Sequence, residues 1–289
     1  MEKEERAVEK ITIIGKDGAC IDANYYSADK NAVKGIMVIC HGFGEHSGSY
    51  RELAEHLERG NYATIVFNQR GHGNLPLKKR GVIPNYRTFF DDIESVVNYT
   101  KNEMPNIPIA LFGHSMGGNI ALNFLLKHGQ FDFKCVILEA PWLALYDREI
   151  SPIEVTISKV ICCMMPNAEI PKFFSKLPLP KYKLTGDQAK QKEIENDRLY
   201  HNRMTWRLSV GVNDGCVYAS KNSQQLSIPM FLAEAKDEEV VCNKAIDELC
   251  KACGHIIKKI YESKHAIHND KNRETFFQDI TDFLDKHIQ

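Results

Sequence analysis

Gly113-His114-Ser115-Met116-Gly117 places a serine between small residues in the pattern G-x-S-x-G. An apolar run over 109–112 precedes it, and Ile120, Ala121, Phe124 and Leu125 follow at helical spacing. The serine is therefore predicted on a sharp turn from a strand into a helix, where only small neighbours fit and the hydroxyl is lifted clear of the sheet. The amides that open the following helix would face any oxyanion formed beside it. A serine hydroxyl is a poor nucleophile near neutral pH. It needs a general base, and the base needs an acid to orient it.

Both partners can be sought just beyond strand ends, in the chain order serine, acid, histidine. The predicted strand 228–233 runs into Glu234-Ala235-Lys236-Asp237-Glu238-Glu239-Val240, and Asp237 is the predicted acid. Glu238 and Glu239 are its neighbouring rivals and are read as entering the first turn of a helix. Glu139, at the end of the predicted strand 134–139, is a more distant one. The predicted strand 256–261 leads to His265 and His268, of which His265 is the predicted base and His268 the structural one. Two backbone donors are expected for the oxyanion: the N–H of Met116, next to the nucleophile, and that of Phe43, whose flanking glycines let its amide turn inward.

Two other patterns point to less. Gly42-Phe43-Gly44 has Ser47 where a dinucleotide fingerprint needs its third glycine. Cys250-Lys251-Ala252-Cys253 stands without a second ligand pair, and Ala245, Ile246, Leu249, Cys250 and Cys253 share one helical face, which reads as core. No metal and no organic cofactor is expected.

These groups must be held by a scaffold. Asp17-Gly18 predicts a hairpin over 10–26. Beyond it, strands at 35–40, 62–67, 108–113, 134–139, 228–233 and 256–261 alternate with helices at 49–59, 88–103, 116–127, 243–253 and 273–287. That alternation predicts an α/β architecture with a mostly parallel, doubly wound sheet and its ligand at the carboxyl ends of the strands. It breaks over 142–207, which holds Pro152, Pro166, Pro171, Pro178 and Pro180 and the apolar stretch 155–165. The expectation is a core of 1–141 and 208–289 with a helical cap inserted at 142–207. Ile157, Ile161, Met164 and Met165 are expected to line an acyl site in that cap or to rest on a membrane surface.

Thirty-seven basic residues against 38 acidic ones give a formal charge of −1, which does not favour nucleic acid as a partner. The opening Met-Glu-Lys-Glu-Glu-Arg lacks the apolar core of a secretion signal. Nine cysteines, several of them in predicted core segments, fit free thiols in a reducing cytoplasm.

Three motifs together resemble the α/β-hydrolase superfamily, and within it the monoacylglycerol lipase and lysophospholipase branch. They are His41-Gly42-Phe43-Gly44-Glu45-His46-Ser47-Gly48-Ser49-Tyr50, Arg70-Gly71-His72-Gly73 and Gly113-His114-Ser115-Met116-Gly117-Gly118. The likeness runs from about residue 10 to 287. It implies the α/β-hydrolase fold, a Ser115–Asp237–His265 triad, donors at Phe43 and Met116, and a lipid-facing cap over an acyl ester substrate. Ser49 stands where the branch usually has Arg, and Asn68 where it usually has Asp. A peptidase or amidase on the same scaffold is the alternative reading.

Overall fold

Apolar strand runs bounded by polar turns build the centre of the molecule. The computed structural model describes residues 8–27, 32–130, 132–171 and 180–288; the first six residues and Pro178 lie outside that description. The hairpin forms as β1 (Glu9–Ile14) and β2 (Cys20–Tyr26), closed by a bond from Gly15 N–H to the Ala19 carbonyl. Then follow β3 (Gly35–Cys40), β4 (Tyr62–Phe67), β5 (Ile109–His114), β6 (Cys135–Glu139), β7 (Met230–Ala235) and β8 (Ile257–Tyr261). The order across the sheet is β1-β2-β4-β3-β5-β6-β7-β8. The β1–β2 and β2–β4 pairs are antiparallel, and the pairs from β4 through β8 are parallel.

β3, β4, β5, β6 and β7 are buried at every position, as strands covered on both faces must be. Helices α1 (Arg51–Arg59), α2 (Thr88–Glu103) and α3 (Met116–His128) supply part of that cover. Two clusters of buried apolar side chains result. One includes Leu111, Leu138 and Phe90, and the other includes Phe112, Ile137 and Phe276.

Between β6 and β7 the chain leaves the sheet. It forms α4 (Pro152–Met164), α5 (Lys181–Leu184), α6 (Gln188–Asn196) and α7 (Trp206–Asn222). The α4 start is written in its sequence: Ser151 accepts from Glu154 N–H, the Glu154 carboxylate accepts from Ser151 N–H, and Pro152 fills the first turn. Thr205 caps α7 by accepting from Leu208 N–H. That helix, absent from the sequence expectation, starts at Trp206 and packs against α3 and α4. The chain ends with α8 (Asn243–Cys253), β8 and α9 (Arg273–His287). Cys250 and Cys253 pack with α8 against the first apolar cluster, as the helical-face reading expects.

Candidate active site

The turn between β5 and α3 carries Ser115 with φ 50° and ψ −114°, a left-handed conformation that costs a residue bearing a Cβ about 1–3 kcal/mol. Three bonds hold it there: Ser115 N–H to the Glu139 carbonyl at 3.0 Å, and Trp142 N–H and Asn119 N–H to the Ser115 carbonyl at 2.9 and 3.1 Å. Gly117 is required on the inner side of the turn, because a Cβ there would overlap the Cys40 carbonyl at the end of β3. The turn thus aims the serine hydroxyl at the loop after β8, where His265 Nε2 lies 2.9 Å from Oγ.

The carboxylate that meets His265 is Glu238, not the predicted Asp237. Glu238 Oε2 accepts from His265 Nδ1 at 2.8 Å, while Asp237 is exposed and bonds back through its main-chain N–H to the Ser263 carbonyl. The loop after β7 gives the reason. Strand β7 runs two residues past its predicted end, to Ala235, so Lys236 and Asp237 point outward and Glu238 is the first side chain to turn in. Its other oxygen accepts from Val240 N–H at 2.7 Å and Val241 N–H at 3.2 Å. Burial opposes ionisation of this carboxyl, but His265 and the two N–H donors outweigh burial and hold it below the usual range. Glu239, the third acid of the run, pairs with Lys183 and Lys264. The local signal for Glu238 is its place two and three residues before Val240 and Val241, whose N–H groups its carboxylate caps.

Glu139 and His268 form a second pair beside the first. Glu139, fully buried, accepts from His268 N–H at 3.0 Å and from its Nδ1 at 2.9 Å. This keeps both out of the Ser115–His265 line. Across from them, Glu45 Oε2 accepts from Gly42 N–H at 2.7 Å and Tyr50 O–H at 2.6 Å and lies 3.3 Å from His114 Nδ1. Tyr50 stacks on the His268 ring at 4.4 Å. Burial disfavours a charge on His114, yet Glu45, Glu139 and Glu238 together raise its pKa to about 9. Glu45, His114 and His268 also bring one potential metal-ligand atom each to within 4.8 Å of one another. Glu45 is already engaged by two protein donors, and Asn269 Nδ2 lies 3.1 Å from His268 Nε2.

Phe43 sits in the loop after β3, and Met116 opens α3 beside the serine. Of the expected cap residues, Ile157 and Ile161 line a cavity of about 270 Å³ together with Ile170, Met204 and Trp206. Met164 and Met165 do not; they are 66% and 54% exposed. With Ile153, Ile157 and Val160 they make an apolar strip on and just beyond α4 that faces outward. A nucleophile, a base and an oriented acid in hydrogen-bonded line can carry out acyl transfer.

The model of the family described as Serine aminopeptidase, S33 matches residues 31–272 of this chain. A monoglyceride lipase of Saccharomyces cerevisiae is 27% identical over 280 residues, covering 89% of this chain and 86% of that protein. An uncharacterized abhydrolase domain-containing protein of Dictyostelium discoideum is 24% identical over 261 residues, which are 88% of this chain but 26% of that protein, so the chain spans about a quarter of this relative. The crystal structure of a soluble variant of the S. cerevisiae monoglyceride lipase, in complex with a substrate analog, matches with a TM-score of 0.85 and 23% identity. The match covers 99% of this chain and 97% of that one, and it establishes the α/β-hydrolase fold.

Proposed function

The chain belongs to the serine aminopeptidase S33 family of α/β hydrolases, and on that footing we propose that it is a serine esterase of acyl lipids, of the monoacylglycerol lipase, lysophospholipase or carboxylesterase type. The observation that carries the reading is the line from Ser115 Oγ through His265 to Glu238, at 2.9 and 2.8 Å. His265 Nε2 takes the serine proton as Oγ attacks the ester carbonyl. Glu238 holds the proton on Nδ1 and stabilises the imidazolium that forms. Phe43 and Met116 N–H stabilise the oxyanion. Collapse expels the alcohol, which takes its proton from His265 and leaves an acyl-Ser115. A water activated by His265 then releases the carboxylic acid.

The similarity to the yeast monoglyceride lipase supports a glycerol-linked acyl ester as substrate. The α4 cavity, with Ile157 and Ile161 on its wall, supports an acyl-binding role for the cap. The apolar strip around α4 supports peripheral docking on a lipid surface. Nine unpaired cysteines support a reducing, cytoplasmic setting.

The family's description makes aminopeptidase activity the second reading, and that chemistry needs an acid free to hold an amine. Glu154, the acid on the α4 cavity wall, is already held by Ser151 N–H and lies 3.6 Å from Arg148, so it is not free to hold an amine in that cavity. The test is a panel of acyl nitrophenyl esters, monoacylglycerols and aminoacyl amides, run on wild type and Ser115→Ala, with fluorophosphonate labelling. Ester turnover lost in Ser115→Ala, with the label on Ser115, supports the proposal. Preferred amide cleavage, or ester turnover that survives Ser115→Ala, overturns it.

A further inference from the structure

The loop that carries Phe43 is gripped from outside as well as from below. Glu45 fastens its inner side through Gly42 N–H and Tyr50 O–H. Its outer side meets the stretch that joins α6 to α7. There His201 N–H donates to the Gly44 carbonyl at 3.0 Å, and Asp197 Oδ2 lies 2.7 Å from His46 Nε2. Gly44 has φ +78°, and any Cβ on it would overlap the His201 carbonyl, so the two backbones are in direct contact. The Phe43 ring is fixed by edge-on contacts with His201 at 5.7 Å and 82° and with His72 at 6.1 Å and 87°. These two imidazoles lie 4.7 Å apart, and His41 meets His72 at 5.0 Å.

Burial holds His201, His72 and His41 neutral, at pKa values of about 2, 4 and 3, and the Arg80 guanidinium adds to the effect at His201. They therefore pack as uncharged rings, and His201 Nδ1 also accepts from Arg203 N–H at 3.2 Å. The joining stretch is itself anchored on the core: Arg80 donates to the Arg198 carbonyl at 2.5 Å, Arg203 to the Leu77 carbonyl at 3.0 Å, and the Thr205 hydroxyl to the Gly81 carbonyl at 2.6 Å.

We propose that His201 is a positioning residue for acyl transfer: as part of the inserted segment it holds the Phe43 main chain at the angle in which its N–H meets the oxyanion. This rests on the reading above, in which Phe43 N–H is a donor. Loss of the ring lets the Phe43 peptide rotate without touching Ser115, His265 or Glu238. Ground-state substrate does not use the oxyanion contact fully, so the effect belongs to kcat rather than to KM.

The test uses the full chain with a short nitrophenyl ester and an alkyl boronic acid, whose adduct on Ser115 mimics the tetrahedral intermediate. His201→Ala is expected to lower kcat about tenfold, a fraction of the ~10²–10³ that outright loss of an oxyanion donor costs. Boronate affinity should fall by the same factor, with KM within about twofold. His201→Phe, which keeps the ring but loses the imidazole nitrogens, is expected to restore both to within about threefold of wild type. Asp197→Asn, a milder change at a side chain that is 31% exposed, repeats the pattern at about threefold if His201→Ala does not fold. An unchanged kcat in these variants, a loss confined to KM, or a Phe variant no better than Ala would overturn the proposal. In each of those cases turnover still depends on Ser115, so the esterase reading stands. If turnover survives Ser115→Ala, that reading falls and this one with it.

Discussion

Glu238→Gln separates two acidic neighbours that differ by one position in the chain and by everything in their surroundings. In the wild type, one carboxylate oxygen is committed to Val240 and Val241 N–H and the other to His265 Nδ1. An amide at this site keeps its carbonyl on the two backbone donors, which leaves its NH₂ facing Nδ1. An NH₂ cannot accept a proton, so His265 must turn to the tautomer with its proton on Nε2, the atom 2.9 Å from Ser115 Oγ. That nitrogen can then no longer receive the serine proton. Loss of the orienting acid in an equivalent arrangement costs about 10⁴ in kcat, or ~5.4 kcal/mol at 1.36 kcal/mol per decade. Asp237→Asn changes an exposed side chain and is expected to stay within about twofold. The assay is kcat on a soluble nitrophenyl ester for both variants, with melting curves to establish that each is folded. An Asp237→Asn loss equal to or larger than that of Glu238→Gln would refute the reasoning and return the acid to the preceding residue.

Other outcomes follow from the same geometry. Replacing Ile153, Val160 and Met164 with Ser should weaken binding to phospholipid vesicles by an order of magnitude or more while leaving the melting midpoint nearly unchanged, because these side chains are 71%, 53% and 66% exposed; equal vesicle binding by co-sedimentation would remove the docking role. Gly117→Ala should destabilise the protein by about 1–3 kcal/mol or more, since the added methyl meets the Cys40 and His41 carbonyls, neither of which can swing away; a denaturant midpoint equal to wild type would contradict the packing. His114 has a pKa raised from 6.5 to about 9, so its contribution to stability is fully present below about pH 6.5 and is lost as pH rises through 9. Melting midpoints should therefore fall between pH 7 and 9.5, and less steeply in His114→Gln; parallel curves for the two proteins would show that another group sets the slope.

Much of this protein is written locally. Helices α2, α8 and α9 occupy the very spans their apolar spacing predicts, and β3 and β4 do the same, because those segments are long, strongly patterned and bounded by turn residues. Ser115 was legible for a similar reason: G-x-S-x-G between a strand and a helix is a backbone requirement expressed in neighbouring residues. His265 follows from its place just after β8. The partner of His265 did not follow. Asp237, Glu238 and Glu239 are equivalent to any argument from spacing, and the choice among them rests on where β7 stops pairing with β8 and which side chain then turns inward, a property of two strands far apart in the chain. The same holds for Met164 and Met165. Their apolar character predicts a need for cover, but only the packing of α4 against α7 decides that Ile161 turns inward and the methionines outward. Sequence determined which residues could do chemistry and which segments would carry them. Tertiary structure decided which carboxylate reaches the histidine, because burial and hydrogen-bond partners are set by contacts between distant segments.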